Sequence, residues 1–194
     1  MPPTSIKAWQ WGAYDFANSL ANVAVIFYFA LWFVEDFRGS DAGVSIAVAL
    51  VTIVLLLVLP QIGARADRTG QHARFLAILT FGSITSLCLL GLAALTITEP
   101  SVGATILVLG LYGLFQFLYQ SSVSIYTSLL RFVGEPDSRQ EVRVAGIGMA
   151  MGQLGNVVGL LLAVPIAQAF GRPAAFLGGG LLFLILAVPT IRWI

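Results

Sequence analysis

The apolar residues of this chain gather into six long stretches, 16–34, 42–64, 75–98, 100–130, 144–171 and 173–191, none containing Asp, Glu, Lys, Arg or His. Each holds at least 19 residues, and a helix of about 20 residues crosses the roughly 30 Å hydrocarbon layer of a bilayer. The pattern predicts an all-α membrane protein with six transmembrane helices at about 9–34, 43–62, 74–98, 102–130, 143–170 and 174–192, forming one bundle over 1–194.

Polar residues inside these spans are few and patterned. Span one opens Trp11-Gly12-Ala13-Tyr14-Asp15-Phe16-Ala17-Asn18-Ser19, and Asp15, Ser19 and Asn22 fall at i, i+4 and i+7 with Asn18 beside them. That spacing makes one helical face polar. An ionisable group in a span is costly unless it meets water, a partner or a ligand, so such a face turns to the bundle interior. Asp15 is the only carboxylate in the predicted spans and is the expected proton- or cation-coupling residue.

Span four carries Tyr112, Gln116, Tyr119, Gln120, Ser124 and Thr127, with Tyr126 adjacent; Gln116, Gln120 and Ser124 are four apart, and the tyrosines repeat every seven. Uncharged hydrogen-bonding groups with aromatic walls suit a cavity for a small polar or zwitterionic solute, although interhelical hydrogen bonding accounts for some of them. In span five, Gly148, Gly152, Gly155 and Gly159 share a face, a small-xxx-small strip that brings helix backbones together. It is expected to serve packing of spans two and five within the bundle, a sliding contact between two transporter halves, or both, with Gln153 and Asn156 at the cavity edge.

Charge sharpens this picture. Charged residues are 10% and apolar residues 58% of the 194, against roughly 25% charged in a soluble domain. The net charge of +1 excludes a strongly basic nucleic-acid footprint. Eight of the ten basic residues (Lys7, Arg65, Arg68, Arg74, Arg131, Arg139, Arg143 and Arg192) fall on one side of the predicted spans, and Arg38 and Arg172 on the other. The positive-inside rule then makes both termini cytoplasmic. Trp9, Trp11 and Trp193 mark interfaces on that side, and the polar gap from Arg131 to Arg143 is expected as an exposed loop or short surface helix. Cys88 is the only cysteine, so neither an internal disulfide nor a thiolate metal cluster is expected. There is no nucleophile–base pair, and His72 is read as a loop residue without ligand partners; no enzyme activity, cofactor or metal is expected.

Between spans two and three lies Gly63-Ala64-Arg65-Ala66-Asp67-Arg68-Thr69-Gly70-Gln71-His72-Ala73-Arg74. It resembles the G-x-x-x-D-R-x-G-R-[RK] loop signature of the major facilitator superfamily, departing at Gln71 and His72, where the family has a basic pair. Gly63 permits close helix approach, Asp67 can face a helix N-terminus, Arg68 can pair with a carboxylate, and Gly70 allows a tight turn. Tyr14-Asp15-Phe16-Ala17-Asn18-Ser19 resembles the Y-D-[FW]-A-N-S signature of the vacuolar amino-acid effluxer-like branch, and the span-five glycines are similar to its G-x-x-x-G-Y-L-G-G stretch, with Gln153 and Asn156 replacing Tyr and Gly.

The resemblance implies one six-helix half of a two-half transporter, with spans one and four lining the cavity, two and five at the contact between halves, and three and six facing lipid. It implies a secondary transporter in a prokaryotic cytoplasmic membrane, carrying a small polar solute such as an amino acid. Covering the polar face of a single bundle requires a partner, and a homodimer with its twofold along the membrane normal supplies one. In that arrangement Gly63, Asp67, Arg68, Gly70, Arg74 and Arg143 form the gating loop. The alternatives are a split or truncated half needing a separate second half, or a membrane scaffold or assembly factor that transports nothing.

Overall fold

A computed structural model describes residues 4–130 and 138–193, with side chains over 8–130 and 142–192. Among these residues the chain is all helical. Helix α1 spans Thr4–Leu31 and continues as a π-helical turn, Trp32–Asp36; α2 spans Asp41–Thr69, α3 His72–Thr96, α4 Val102–Ser128, α5 Ser138–Phe170 and α6 Arg172–Trp193. All six are long and apolar enough to cross a membrane. Helices α1, α2, α5 and α6 overrun the predicted spans, because charge excludes residues from hydrocarbon but not from a helix, whereas α3 and α4 each end two residues short.

Local chemistry explains the ends. Gly70 stops α2 in the left-handed conformation, φ 65°, which glycine adopts without steric cost. The Ser101 hydroxyl caps α4 by accepting from the Ala104 N–H at 3.1 Å. At the far end of α1 the Phe37 N–H reaches the Trp32 carbonyl at 2.9 Å and the Gly39 N–H reaches that of Phe33 at 2.7 Å. Arg172, at the start of α6, pairs with Glu35 at 2.7 Å and with Asp36 at 3.3 Å, tying the two helix ends together. Helix α5 starts seven residues after Arg131, so much of the predicted polar gap is a helical lead-in to span five. Residues 131–137, with Arg131, and the side chains of Lys7, Arg139 and Trp193 lie outside the described residues.

Helix α1 packs on α5 and α6, α3 on α4 and α6, and α2 chiefly on α4, with lesser contacts between α5 and α6 and between α2 and α3. Exchanging α1 with α4, α2 with α5 and α3 with α6 returns the same set of pairs. The pairings are therefore those of two triplets, α1–α3 and α4–α6, with equivalent neighbours.

The two halves of that pattern differ in tightness. Along α1–α5 the glycine strip takes the helices to backbone contact: a Cβ on Gly155 would overlap the Phe16 carbonyl oxygen, and one on Gly159 would lie 2.6 Å from that of Leu20. Gly148 accommodates the Trp11 ring. The strip is thus buried against α1 of the same chain. It packs neither on span two nor on an open face, contrary to both sequence expectations: α1 brings Gly12 and the backbone at Phe16 and Leu20 against α5. The equivalent α2–α4 contact is loose, and Gly43, Gly110 and Gly113 help line an apolar cleft of about 460 Å³ there. Most of α2 is exposed, as is the outer face of α5 at Met149, Val157 and Leu161.

Backbone contact at Gly155 leaves no room for a methyl group. Gly155→Ala should lower stability by about 1–3 kcal/mol, whereas Gly146→Ala, with nothing within 4 Å of its new Cβ, should cause no loss; unfolding of both variants in detergent micelles compares them.

Candidate functional site

The polar faces of α1 and α4 meet along an antiparallel seam. Near its two ends aromatic rings stack: Trp11 on Tyr126, with centroids 4.3 Å apart, and Phe29 on Tyr112, at 3.8 Å and 3° between planes. The Tyr126 hydroxyl also donates to the Trp11 carbonyl at 2.9 Å. From Trp11 to Phe29 is about 27 Å of helix, close to the hydrocarbon thickness. Midway, the Tyr119 hydroxyl faces the Asn18 and Asn22 side chains. The tyrosine heptad of α4 is thus an α1-facing ladder, with each rung buried, and not the wall of an open cavity.

The middle of this seam holds unmatched polarity. Asn18 is 2% exposed. Its Oδ1 and that of Asn22 are buried without a hydrogen-bond partner among the described residues, as are Trp11 Nε1 and Ser121 Oγ. Buried acceptors are nearly always paired, so two orphaned carbonyl oxygens one turn apart stand out. Asp15 and Ser19 lie on the α5 side of the same arc: a Cβ on Gly152 would sit 2.6 Å from Asp15 Oδ2 and 3.3 Å from Ser19 Oγ. The polar arc of α1 therefore looks into the gap between α4 and α5.

The other predicted lining residues separate. Gln116 and Gln120 turn towards α2 and share a cleft of about 210 Å³ with Thr52, Val48, Val51 and Leu55. Gln116 alone bridges back to the seam, donating to the Tyr112 hydroxyl at 3.2 Å. Ser124 is half-buried nearer the basic end of α4. Gln153 and Asn156 sit beside the glycine strip and face each other, with the Asn156 amide 3.5 Å from Gln153 Oε1. The α4 face divides because its polar arc is wide: its tyrosines occupy one edge, its glutamines the other.

At the basic end, Gly70 turns the chain as expected, and this corrects the expectation for His72. His72 is the first residue of α3, only 5% exposed, and its Nε2 lies 2.9 Å from Asp67 Oδ1. The left-handed turn folds α3 back so that its first side chain meets the last turn of α2. Gly63 has nothing within 4 Å of its Cβ position. Arg68, Arg74 and Arg143 are exposed; Arg74 donates to Gln71 Oε1 at 3.3 Å, and Arg68 makes no ion pair among the described residues.

Several residues next to the seam escaped the sequence expectations. The Tyr14 hydroxyl is 2.6 Å from Thr80 Oγ1, joining α1 to α3, and the Tyr14 ring lies 4.8 Å from that of Tyr126. Ser121 and Ser122 are fully buried under it. Tyr14 stands inside the Tyr-Asp-Phe-Ala-Asn-Ser motif, the one sequence signal for it; Thr80 and the serines carry none.

No family model matches the chain, and no solved structure matches it. An uncharacterized protein from Aquifex aeolicus (strain VF5) is 25% identical over 192 residues, covering 98% of this chain and 46% of the relative's own length. The chain thus spans about half of that relative.

The Tyr14–Thr80 hydrogen bond is enclosed, so its two partners should be energetically coupled. A double-mutant cycle with Tyr14→Phe and Thr80→Val should return a coupling of about 0.5–1.5 kcal/mol; additive losses would show that the bond contributes nothing net.

Proposed function

We propose that this chain is a six-helix half of a secondary transporter of the major facilitator type, in its effluxer-like branch, that moves a small polar solute by alternating access. The observation that carries the proposal is the α1–α4 seam: two orphaned amide carbonyls and a tyrosine hydroxyl at mid-span between stacked aromatic pairs, with an acid, Asp15, one turn from the Trp11 pair. A membrane scaffold has no use for unmatched polar groups there, whereas a solute path needs groups that pair only when the solute arrives.

Two further features support it. The exchange symmetry of the helix triplets is that of inverted repeats nested in one transporter half. The exposed α2 and outer α5 face give a second half a surface to pack on. That contact uses Met149, Val157 and Leu161 in place of the glycine strip. The second half is a second copy of this chain in a twofold dimer; the greater length of the Aquifex relative also fits a second half joined covalently. The basic end is cytoplasmic, and Asp67, held by His72, belongs to the gate there.

Accessibility tests the solute path without knowledge of the solute. In a Cys88→Ala background, Gln116→Cys and Gln120→Cys should react with a membrane-impermeant maleimide in proteoliposomes, and Leu56→Cys, on the lipid-facing side of α2, should not. Equal inertness of all three would rule out a water-filled path on the α2 side of α4. In the same vesicles, Asp15→Asn should abolish amino-acid-dependent proton flux while leaving the size of the assembled complex unchanged; undiminished flux in this variant would show that Asp15 does not couple transport.

A further inference from the structure

We infer that the α1 arc of Asp15, Asn18 and Asn22 binds one monovalent cationic centre, either an alkali ion or the ammonium group of a solute. Every group that the arc presents is a potential acceptor for such a centre: a carboxylate, two amide oxygens, the Ser19 hydroxyl and, across the seam, the Tyr119 hydroxyl. The oxygens of Asn18 and Asn22 are buried and unpartnered among the described residues, and Tyr119 has a single proton, enough for only one of them. A buried acceptor left unmade is costly, and a ligand that satisfies both at once removes that cost.

Charge selects the ligand. The six charge-free stretches contain no Lys, Arg or His to neutralise Asp15, and Asp15 makes no ion pair or hydrogen bond among the described residues. An ionised Asp15 would repel an anion, and with a neutral solute the carboxyl could be neutral only by holding a proton; a cation is the ligand that the ionised form can take. A single positive charge leaves the site neutral. A divalent ion would leave it positive and favours several carboxylates, yet no group of three His, Cys, Asp or Glu side chains occurs among the described residues. Gly152 completes the shape: a side chain there would press on Asp15 Oδ2 at 2.6 Å and on Ser19 Oγ at 3.3 Å. Glycine lets both side chains lie directly against α5.

The role of the cation, as coupling ion or as the charged end of the solute, rests on the transporter proposal. Binding itself does not, and it is measured at equilibrium without transport, so either can fail alone. The full chain in lipid nanodiscs is titrated with ²²Na⁺ and, separately, with ¹⁴C-methylammonium, ionic strength being held constant with N-methylglucamine chloride. One of these probes is expected to saturate at one site per chain. Its affinity should fall about tenfold in Asn18→Leu and in Asn22→Leu, equivalent to one lost ligand, and be lost in Asp15→Asn; Thr85→Ala, on the outer face of α3, should match the wild type. Saturation by sodium identifies an inorganic ion, and saturation by methylammonium alone identifies an ammonium-bearing solute. The near-ultraviolet circular dichroism of each variant shows whether it remains folded. The inference is overturned if neither probe saturates on folded wild-type protein, or if folded Asn22→Leu and Asn18→Leu bind as tightly as wild type.

Discussion

Backbone contact between α1 and α5 is the constraint from which the rest of the bundle follows. Lipid provides no hydrophobic drive for helices to associate, so close van der Waals approach has to supply it. Gly155 over the Phe16 carbonyl and Gly159 over that of Leu20 fix both the separation and the rotation of α1. Once that face is committed, Asn18 and Asn22 have to point towards α4. Ala21 comes against Gly179 of α6 at the next position around the helix. The polar seam is thus a consequence of where the glycines are, on a different helix.

The architecture was legible where it depends on length and charge. Six apolar stretches gave six helices, and Gly70 marked the turn between α2 and α3. What eluded the sequence was pairing. The periodicity of Gly148, Gly152, Gly155 and Gly159 says that one face of α5 is small, and it is silent on which helix occupies that face. In the same way, the sevenfold spacing of Tyr112, Tyr119 and Tyr126 identifies an edge of α4 without saying that α1 lies against it. His72 was misread because its environment is made by a turn, and its partner Asp67 lies five residues earlier on another helix.

The triplets share a pattern of contacts but not a stiffness. Helices α1, α5, α6 and α3 are joined by glycines at near-backbone distance, including Gly91 of α3, whose Cβ position lies 2.7 Å from the Leu177 nitrogen of α6. Helix α2 is held mainly by α4 across clefts, with few buried side chains of its own. Low local contact density is the physical content of low local stability, so α2 is the element most easily displaced, and α1, α3, α5 and α6 form the platform.

The partners of α1 also set the order in which the protein has to be assembled. Its polar arc is completed by α4 and its glycine-matched face by α5, yet about 100 residues separate the end of α1 from the start of α5. At a synthesis rate of about 5–20 residues per second, that gap lasts about 5–20 s. For that interval Asp15, Asn18 and Asn22 are in the membrane without the surfaces that enclose them. A helix in that condition is poorly soluble in lipid, and its biogenesis favours residence beside the insertion machinery until the second triplet emerges. The polar residues at the centre of the bundle are therefore the ones that make its first helix slow to leave the site of its own synthesis.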